Sequence, residues 1–345
     1  MKARGNNFDV LRLVAAALVA ALHLVELSAA PALAATLGWL PTAWGLPIFF
    51  VLSGHLVYAS WVQRPVLADY ASRRLRRIVP AYVAVVLLCA AMGMALTALS
   101  WREYLSAPMW WQYLVANLSF LNFLQPQLPG VFSHNPVPGV VNGSLWTIKV
   151  ELMFYAVVPA IAWAARRWGT HQVLGAGFLL SALWWVGFTE WAVQGGRPVG
   201  HELAKQMPGQ LMYFLAGAWA WCHRETLLRW RHRVGAAGLL ILCLVAARDG
   251  HPTQGADVWD ILAPIGLTAA VMWLALVVRP VAALQPRHDL SYGLYLWHFP
   301  VIQACVATGL LAWSVWLGAL AALVLTVVLA WASWRLIEAP ALRHR

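Results

Sequence analysis

Apolar blocks of about 20 residues recur along the whole chain, and each has the length that crosses roughly 30 Å of hydrocarbon. A segment in that environment has no water to satisfy its backbone and must close its own hydrogen bonds, which the helix does within one segment. Composition agrees: of 345 residues, 61% are hydrophobic and 11% charged, where a soluble domain carries about 25% charged. Thirteen acids and 24 bases are too few to coat soluble domains of this length. The pattern excludes a soluble enzyme, a secreted disulfide scaffold and a disordered chain. It predicts an all-α, polytopic membrane protein.

Ten helices are expected, near 8–28, 40–61, 78–98, 144–165, 172–190, 208–222, 234–247, 259–278, 290–310 and 313–336. The sixth and seventh are short. The first run holds His23 and Glu26 and no small-residue cleavage site, so it reads as a retained span. The stretch 101–124 mixes apolar residues with Trp, Tyr and Asn, which suits a helix lying at the interface. With the N-terminus in the cytoplasm, the inside segments hold Lys2, Arg4, Arg64, Arg73, Arg74, Arg76, Arg77, Arg166, Arg167, Arg224, Arg229, Arg231, Arg233, Arg279, Arg287, Arg335, Arg343 and Arg345. The outside segments hold Arg102, Arg197, Lys205 and Arg248. This bias of 18 to 4 predicts both termini inside and an even number of spans.

The formal charge of +11 is dispersed in short groups between apolar blocks. That fits topology and contact with the lipid bilayer, and gives no nucleic-acid footprint. The four cysteines sit inside apolar runs without pairing or ligand spacing and read as packing residues. No metal site is implied. The region 99–143 faces outward and ends in Pro- and Gly-rich chain, QPQLPGVFSHNPVPGVVNGS. A loop of that length usually binds or covers something. The absence of internal repeats and of matching broken helices weakens a transporter reading. The chain reads as one membrane domain, 1–345, with its outer loop at about 99–143.

Ionisable residues inside spans are costly and mark function. Arg12 and His23 are eleven residues apart, within about 20° of one helical face and separated by an axial rise of roughly 16 Å. Glu26, three residues on, is placed to pair with His23 or orient its ring. In NGSLWTIKVELMFY, Thr147, Glu151 and Tyr155 form one polar stripe, and Lys149 points elsewhere. Glu151 therefore requires a partner from another span, with His23 or Arg12 as candidates. Each of these has a structural alternative, as a satisfied core polar group or a buried ion pair.

RRLRRIVP, leading into the third helix, places Arg73, Arg74, Arg76 and Arg77 as a dense donor array for phosphate, or as a headgroup anchor. In SYGLYLWHFPV, His298 lies within the ninth helix near Tyr292 and Tyr295, where a packed polar network is the default. His55 is equally ambiguous, although Ser53 and Gly54 allow close helix approach. Together these features describe a phosphorylated donor held at the cytoplasmic mouth, its reactive end reaching a deep histidine, and an acceptor arriving from outside. A neutral histidine can take a proton from a hydroxyl that then attacks a carbonyl. Acyl-CoA, with its phosphates and long arm, fits the donor side.

The segments NNFDVLRLVAAALVAALHLVE, GLPIFFVLSGHLVYASW, SRRLRRIVPAY, NGSLWTIKVELMFYAVVP, SYGLYLWHFPV and IEAPALR, in this order over essentially the whole chain, resemble the bacterial acyltransferase-3 family of integral membrane acyltransferases. The resemblance implies about ten helices in the bacterial cytoplasmic (inner) membrane. It also implies transfer of an acyl group, commonly acetyl from acetyl-CoA, to a carbohydrate or glycolipid hydroxyl. It places the family's basic residue and histidine on Arg12 and His23, its Arg-x-x-Arg element on Arg74 and Arg77 (or Arg73 and Arg76), and its acid on Glu151. The catalytic set is then His23, Glu151 and Glu26, and the donor set Arg12, Arg73, Arg74, Arg76 and Arg77. Asn142, Ser144, Trp146, Tyr155 and His298 are candidates for the acceptor pocket. Acyl-CoA is a substrate, and no bound cofactor is expected. His55 stands where the family more often has Phe or Tyr. The chain ends at Arg345, so the extracytoplasmic hydrolase-like domain of some relatives is not expected. Two readings compete: a transporter or exporter with an Arg/His/Glu relay, and a non-catalytic membrane subunit.

Overall fold

A computed structural model describes residues 6–249, 256–280, 285–286 and 288–343. Lys2, Arg4, Arg287 and Arg345, counted above for topology, lie outside the described residues. Every regular element described is helical. Long helices occupy all ten predicted stretches: α1 (Phe8–Ser28), α2 (Gly45–Gln63), α3 (Leu67–Leu96), α4 (Trp146–Trp168), α5 (Thr170–Gly195), α6 (Met207–Cys222), α7 (Arg231–Asp249), α8 (Val258–Leu276), α9 (Ser291–Ala307) and α10 (Val315–Ser333).

Seven of them, α1 to α5, α8 and α10, are long and apolar enough to cross a membrane, so the chain is a multi-pass membrane protein. At 16 and 17 residues, α6 and α9 are shorter than these seven. Although α7 has 19 residues, Arg231, Arg233, Arg248 and Asp249 crowd its ends. The stretch 101–124 contains no span. It breaks into Trp101–Ser106 and Pro108–Leu118 because Pro108 cannot continue the preceding helix. Of the cysteines, Cys89 and Cys305 are buried, but Cys222 is half-buried and Cys243 exposed, so core packing describes only the first two.

The arginine cluster does not lead into a helix, as the sequence suggested, but lies inside one. α3 starts at Leu67, with Asp69 in its first turn, and runs through Pro80. Arginine is a good helix former, and a proline deletes one intrahelical bond without ending a helix that is packed on its neighbours.

The chain divides into two compact units. The first comprises Met1–Arg12, Leu46–Tyr70 and Val150–Gln285. Here α2 and α6 touch backbone to backbone: a methyl group at Gly54 would collide with the Phe214 carbonyl oxygen, and one at Gly217 with that of Val51. Phe154 bridges Phe50 and Phe214 with ring centroids 5.1 and 4.8 Å away. His55 is buried in this core, stacked on Phe8 at 5.4 Å. Asn7 closes the far end of α8, its amide donating to the carbonyls of Leu274 and Val278, both at 2.9 Å. These are acceptors that a helix end leaves without intrahelical partners.

The second unit comprises Leu13–Gly45, Ala71–Lys149 and Pro286–Arg345. Its α9 and α10 pack side by side. Buried tyrosines fasten the long connection to α3: Tyr104 donates to the Ala90 carbonyl and Tyr82 to the Asn117 carbonyl, each at 2.8 Å. The remainder of the connection holds two single 3-10 turns, Asn122–Leu124 and Gly143–Leu145, and one bridge, Gln127 to Val140. Two backbone amides of that segment, through their carbonyls at Val137 and Val140, accept from the Gln303 amide nitrogen at 2.9 and 2.8 Å. The Asn135 amide donates back to Gln303 Oε1 at 2.7 Å.

Candidate active site

Within the second unit, His23 on α1 meets His298 on α9. Nδ1 of His23 lies 2.7 Å from Nε2 of His298, with the rings stacked 5.0 Å apart and 17° from parallel. Phe299 sets its ring edge-on against His23 at 5.0 Å. Phe299 in turn lies so near Gly143 that a methyl group there would stand 2.8 Å from the ring. Only glycine lets the end of the outer loop reach this point. His298 is 1% exposed, and its Nδ1 is 3.1 Å from the Leu294 carbonyl oxygen one turn earlier. His23 itself is half-buried and Glu26 exposed.

One turn from the histidines, a polar cluster holds the start of α4 against α9. Pro300 has no N–H, so the Leu296 carbonyl loses its usual helical donor. The Asn142 amide takes that place at 2.9 Å, and Ser144 Oγ donates to Asn142 Oδ1 at 2.7 Å. Thr147 Oγ1 and the Tyr295 hydroxyl are 2.6 Å apart. Of the predicted acceptor residues, Asn142, Ser144 and His298 thus come together here, and Trp146 sits half-buried beside them in sequence.

Towards the other end of α9 lies a charged cluster. Arg77 is 2.5 Å from Asp289 and 3.8 Å from Glu338. Its guanidinium also lies 5.9 Å from the Tyr292 ring. Asp289 accepts from the amide and hydroxyl of Ser291, at 3.2 and 2.5 Å, which fixes it at the head of α9. Glu338 sits in a wide π-helical turn, Trp334–Glu338, that extends α10, and Ser333 donates to it at 3.1 Å. Helical spacing puts Arg73, Arg74 and Arg77 on adjoining parts of one face. Accordingly these three are half-buried, while Arg76 is exposed. Arg77 is thus engaged by two carboxylates, Asp289 and Glu338, that lie far from it in the chain.

Other predicted residues belong to the first unit. Arg12 pairs with Asp9 at 3.3 Å. Glu151 accepts from the Tyr155 hydroxyl one turn on, the stripe read from the sequence. Pro159 deprives the Tyr155 carbonyl of its helical donor, and the Tyr70 hydroxyl supplies one at 3.0 Å. Sequence reasoning overlooked Asp289, Phe299 and Gln303. Glu338 was visible only as a letter in IEAPALR. Among the described residues, no three His, Cys, Asp or Glu side chains converge as a metal site would require.

The arrangement offers a nitrogen base in an aromatic setting, a cationic helix face and a polar shelf on one framework. Known proteins carry the same sequence pattern. The profile of the acyltransferase-3 family, described as an acyltransferase domain, matches residues 6–335. The chain belongs to that family, and is a membrane O-acyltransferase. It is 29% identical to Nodulation protein 10 of Rhizobium leguminosarum bv. viciae, over 99% of this chain and 94% of that protein. It is 27% identical to the O-acetyl transferase of Shigella phage Sf6, over 97% and 95%. It is 23% identical to the Peptidoglycan O-acetyltransferase OatA of Listeria monocytogenes, over 86% of this chain and half of that protein. No solved structure gives a significant match.

Proposed function

We propose that the protein moves an acyl group, acetyl first among them, from cytoplasmic acyl-CoA to a hydroxyl of a carbohydrate or glycoconjugate, in the bacterial inner membrane. The observation that carries this reading is the span of α9. Tyr292 on that helix lies against Arg77 and donates to the Ile78 carbonyl at 2.9 Å, beside the arginine cluster, while His298 on the same helix meets His23. Six residues separate Tyr292 from His298, about 9 Å along the axis. A donor whose phosphates lie on the arginine face would direct its thioester along α9 to His23.

His23 takes the proton of the acceptor hydroxyl as the oxygen attacks the thioester carbonyl. The carbon–oxygen bond forms, the carbon–sulfur bond breaks, and the proton passes to the departing CoA thiolate. Arg73, Arg74 and Arg76 neutralise the donor phosphates. The outer loop and the Asn142, Ser144 and Trp146 turn receive the acceptor. Arg12, Glu26, Glu151 and Tyr155 remain proposed participants, each to be tested by its own substitution. The names of the phage and Listeria relatives support acetyl as the group and a glycan as the acceptor. The 18-to-4 distribution of basic residues supports donor entry from the cytoplasm.

The test is release of CoA thiol from acetyl-CoA by the purified protein in detergent, with a panel of glycan acceptors. Native protein should release thiol and acylate an acceptor, and His23→Ala should do neither while remaining monodisperse. Normal acylation by His23→Ala would overturn the assignment of the base.

A further inference from the structure

Taking His23 as the base, as proposed above, we infer that His298 is a positioning residue, which fixes the tautomer of His23 so that its Nε2 faces the acceptor hydroxyl as the basic nitrogen. The argument is one of donors and acceptors. A carbonyl oxygen only accepts, so His298 Nδ1, 3.1 Å from the Leu294 oxygen, must carry a hydrogen. In a neutral imidazole the other nitrogen then holds the lone pair, and His298 Nε2 accepts. Its neighbour at 2.7 Å, His23 Nδ1, must therefore be the N–H. That leaves the lone pair of His23 on Nε2. The opposite assignment would set the lone pair of His298 Nδ1 against that of the Leu294 carbonyl, inside a site where His298 is 1% exposed and water offers no relief.

The surroundings hold both rings in this relation. Tyr295 packs its ring against His298 at 5.7 Å, and Phe299 closes the edge of His23 at 5.0 Å. When the acceptor hydroxyl gives its proton to His23 Nε2, the new imidazolium keeps Nδ1–H directed at the His298 lone pair. That hydrogen bond becomes charge-assisted and strengthens as charge develops. The proton then leaves Nε2 for the CoA thiolate, and His298 ends as it began. A group that helps only as charge develops affects kcat and leaves donor binding alone.

Two substitutions separate this role from packing. His298→Phe keeps an aromatic ring in the stack but has no lone pair. His298→Gln loses the ring but places a carbonyl oxygen near the position of Nε2. The inference predicts that His298→Phe lowers kcat by about 100- to 10,000-fold, the range of general-base and tautomer effects, with the donor KM within about twofold. It predicts that His298→Gln recovers at least about tenfold of that loss. A purely structural residue would give the reverse order, with Phe tolerated and Gln impaired. If His298→Phe turns over at the native rate while His23→Ala is dead, this inference fails and the base assignment stands. If His23→Ala is active, the base assignment itself fails. Acetyl-CoA binding and size-exclusion profiles of each variant confirm that folded protein is being compared.

Discussion

Arg77 on α3 meets Asp289 at the head of α9 at 2.5 Å, and so joins two helices that are more than 200 residues apart in sequence. Asp289 is 10% exposed and Glu338, the second carboxylate, 2%. Removing one member of so buried a set leaves charge without compensation, at a cost of about 3–5 kcal/mol.

The consequence is a division of labour among the arginines. Arg77→Ala should lower the thermal midpoint of the purified protein by that order of destabilisation, as should Asp289→Ala. Arg76→Ala, at an exposed position of the same cluster, should leave the midpoint near native and weaken acetyl-CoA binding by roughly 10- to 100-fold, the worth of a charge-assisted phosphate contact. Titration calorimetry and melting curves on the three variants decide it. Equal loss of donor affinity and no change in melting for Arg77→Ala would return Arg77 to the phosphate-binding set.

Ten helical stretches were legible because apolar length is a local property, recorded in consecutive residues such as 13–22 of α1. Their ends were less so. The start of α3 at Leu67 was hidden because polar ADYASRRLRR continues a helix without adding hydrophobicity, and Pro80 resembled a boundary when it lies inside. His23 stood out as a polar residue deep in a span. His298, which the structure sets against it from 275 residues away, did not stand out as its neighbour. Such a partner is chosen by helix packing, which no local pattern encodes. Asp289 and Glu338 were missed for the same reason, since only packing brings Arg77 to them from more than 200 residues away.

The pairing of Asn142 with the Leu296 carbonyl makes a thermodynamic prediction. Asn142→Ala removes the donor that replaces the one Pro300 cannot supply, and leaves a buried acceptor unmet at a cost of about 1–3 kcal/mol. Pro300→Ala restores the backbone N–H, which can then bond Leu296 within the helix. In the Pro300→Ala background, Asn142→Ala should therefore cost at least about 1 kcal/mol less than in native protein. Chemical or thermal unfolding of the four forms gives the coupling directly. Strict additivity would mean that Asn142 acts through something other than this carbonyl.

Gln303 makes the last prediction, which concerns the outer loop. It is 0% exposed, and its amide nitrogen serves the carbonyls of Val137 and Val140 while its oxygen accepts from Asn135. All three partners lie in the loop, so one α9 side chain fixes its shape about one turn beyond Phe299 and His298. Gln303→Leu matches the volume but satisfies none of them. If the loop receives the acceptor, the variant should raise the acceptor KM by about tenfold or more, since hydrogen bonds of roughly 1 kcal/mol each are lost from the ordered form. The donor KM should stay near native, because the arginine face of α3 is untouched. Protease cleavage within 125–142 should quicken in parallel. A variant that cleaves faster yet keeps its acceptor KM would show that loop order and acceptor binding are separate, and would move the acceptor site to the Asn142–Trp146 turn alone.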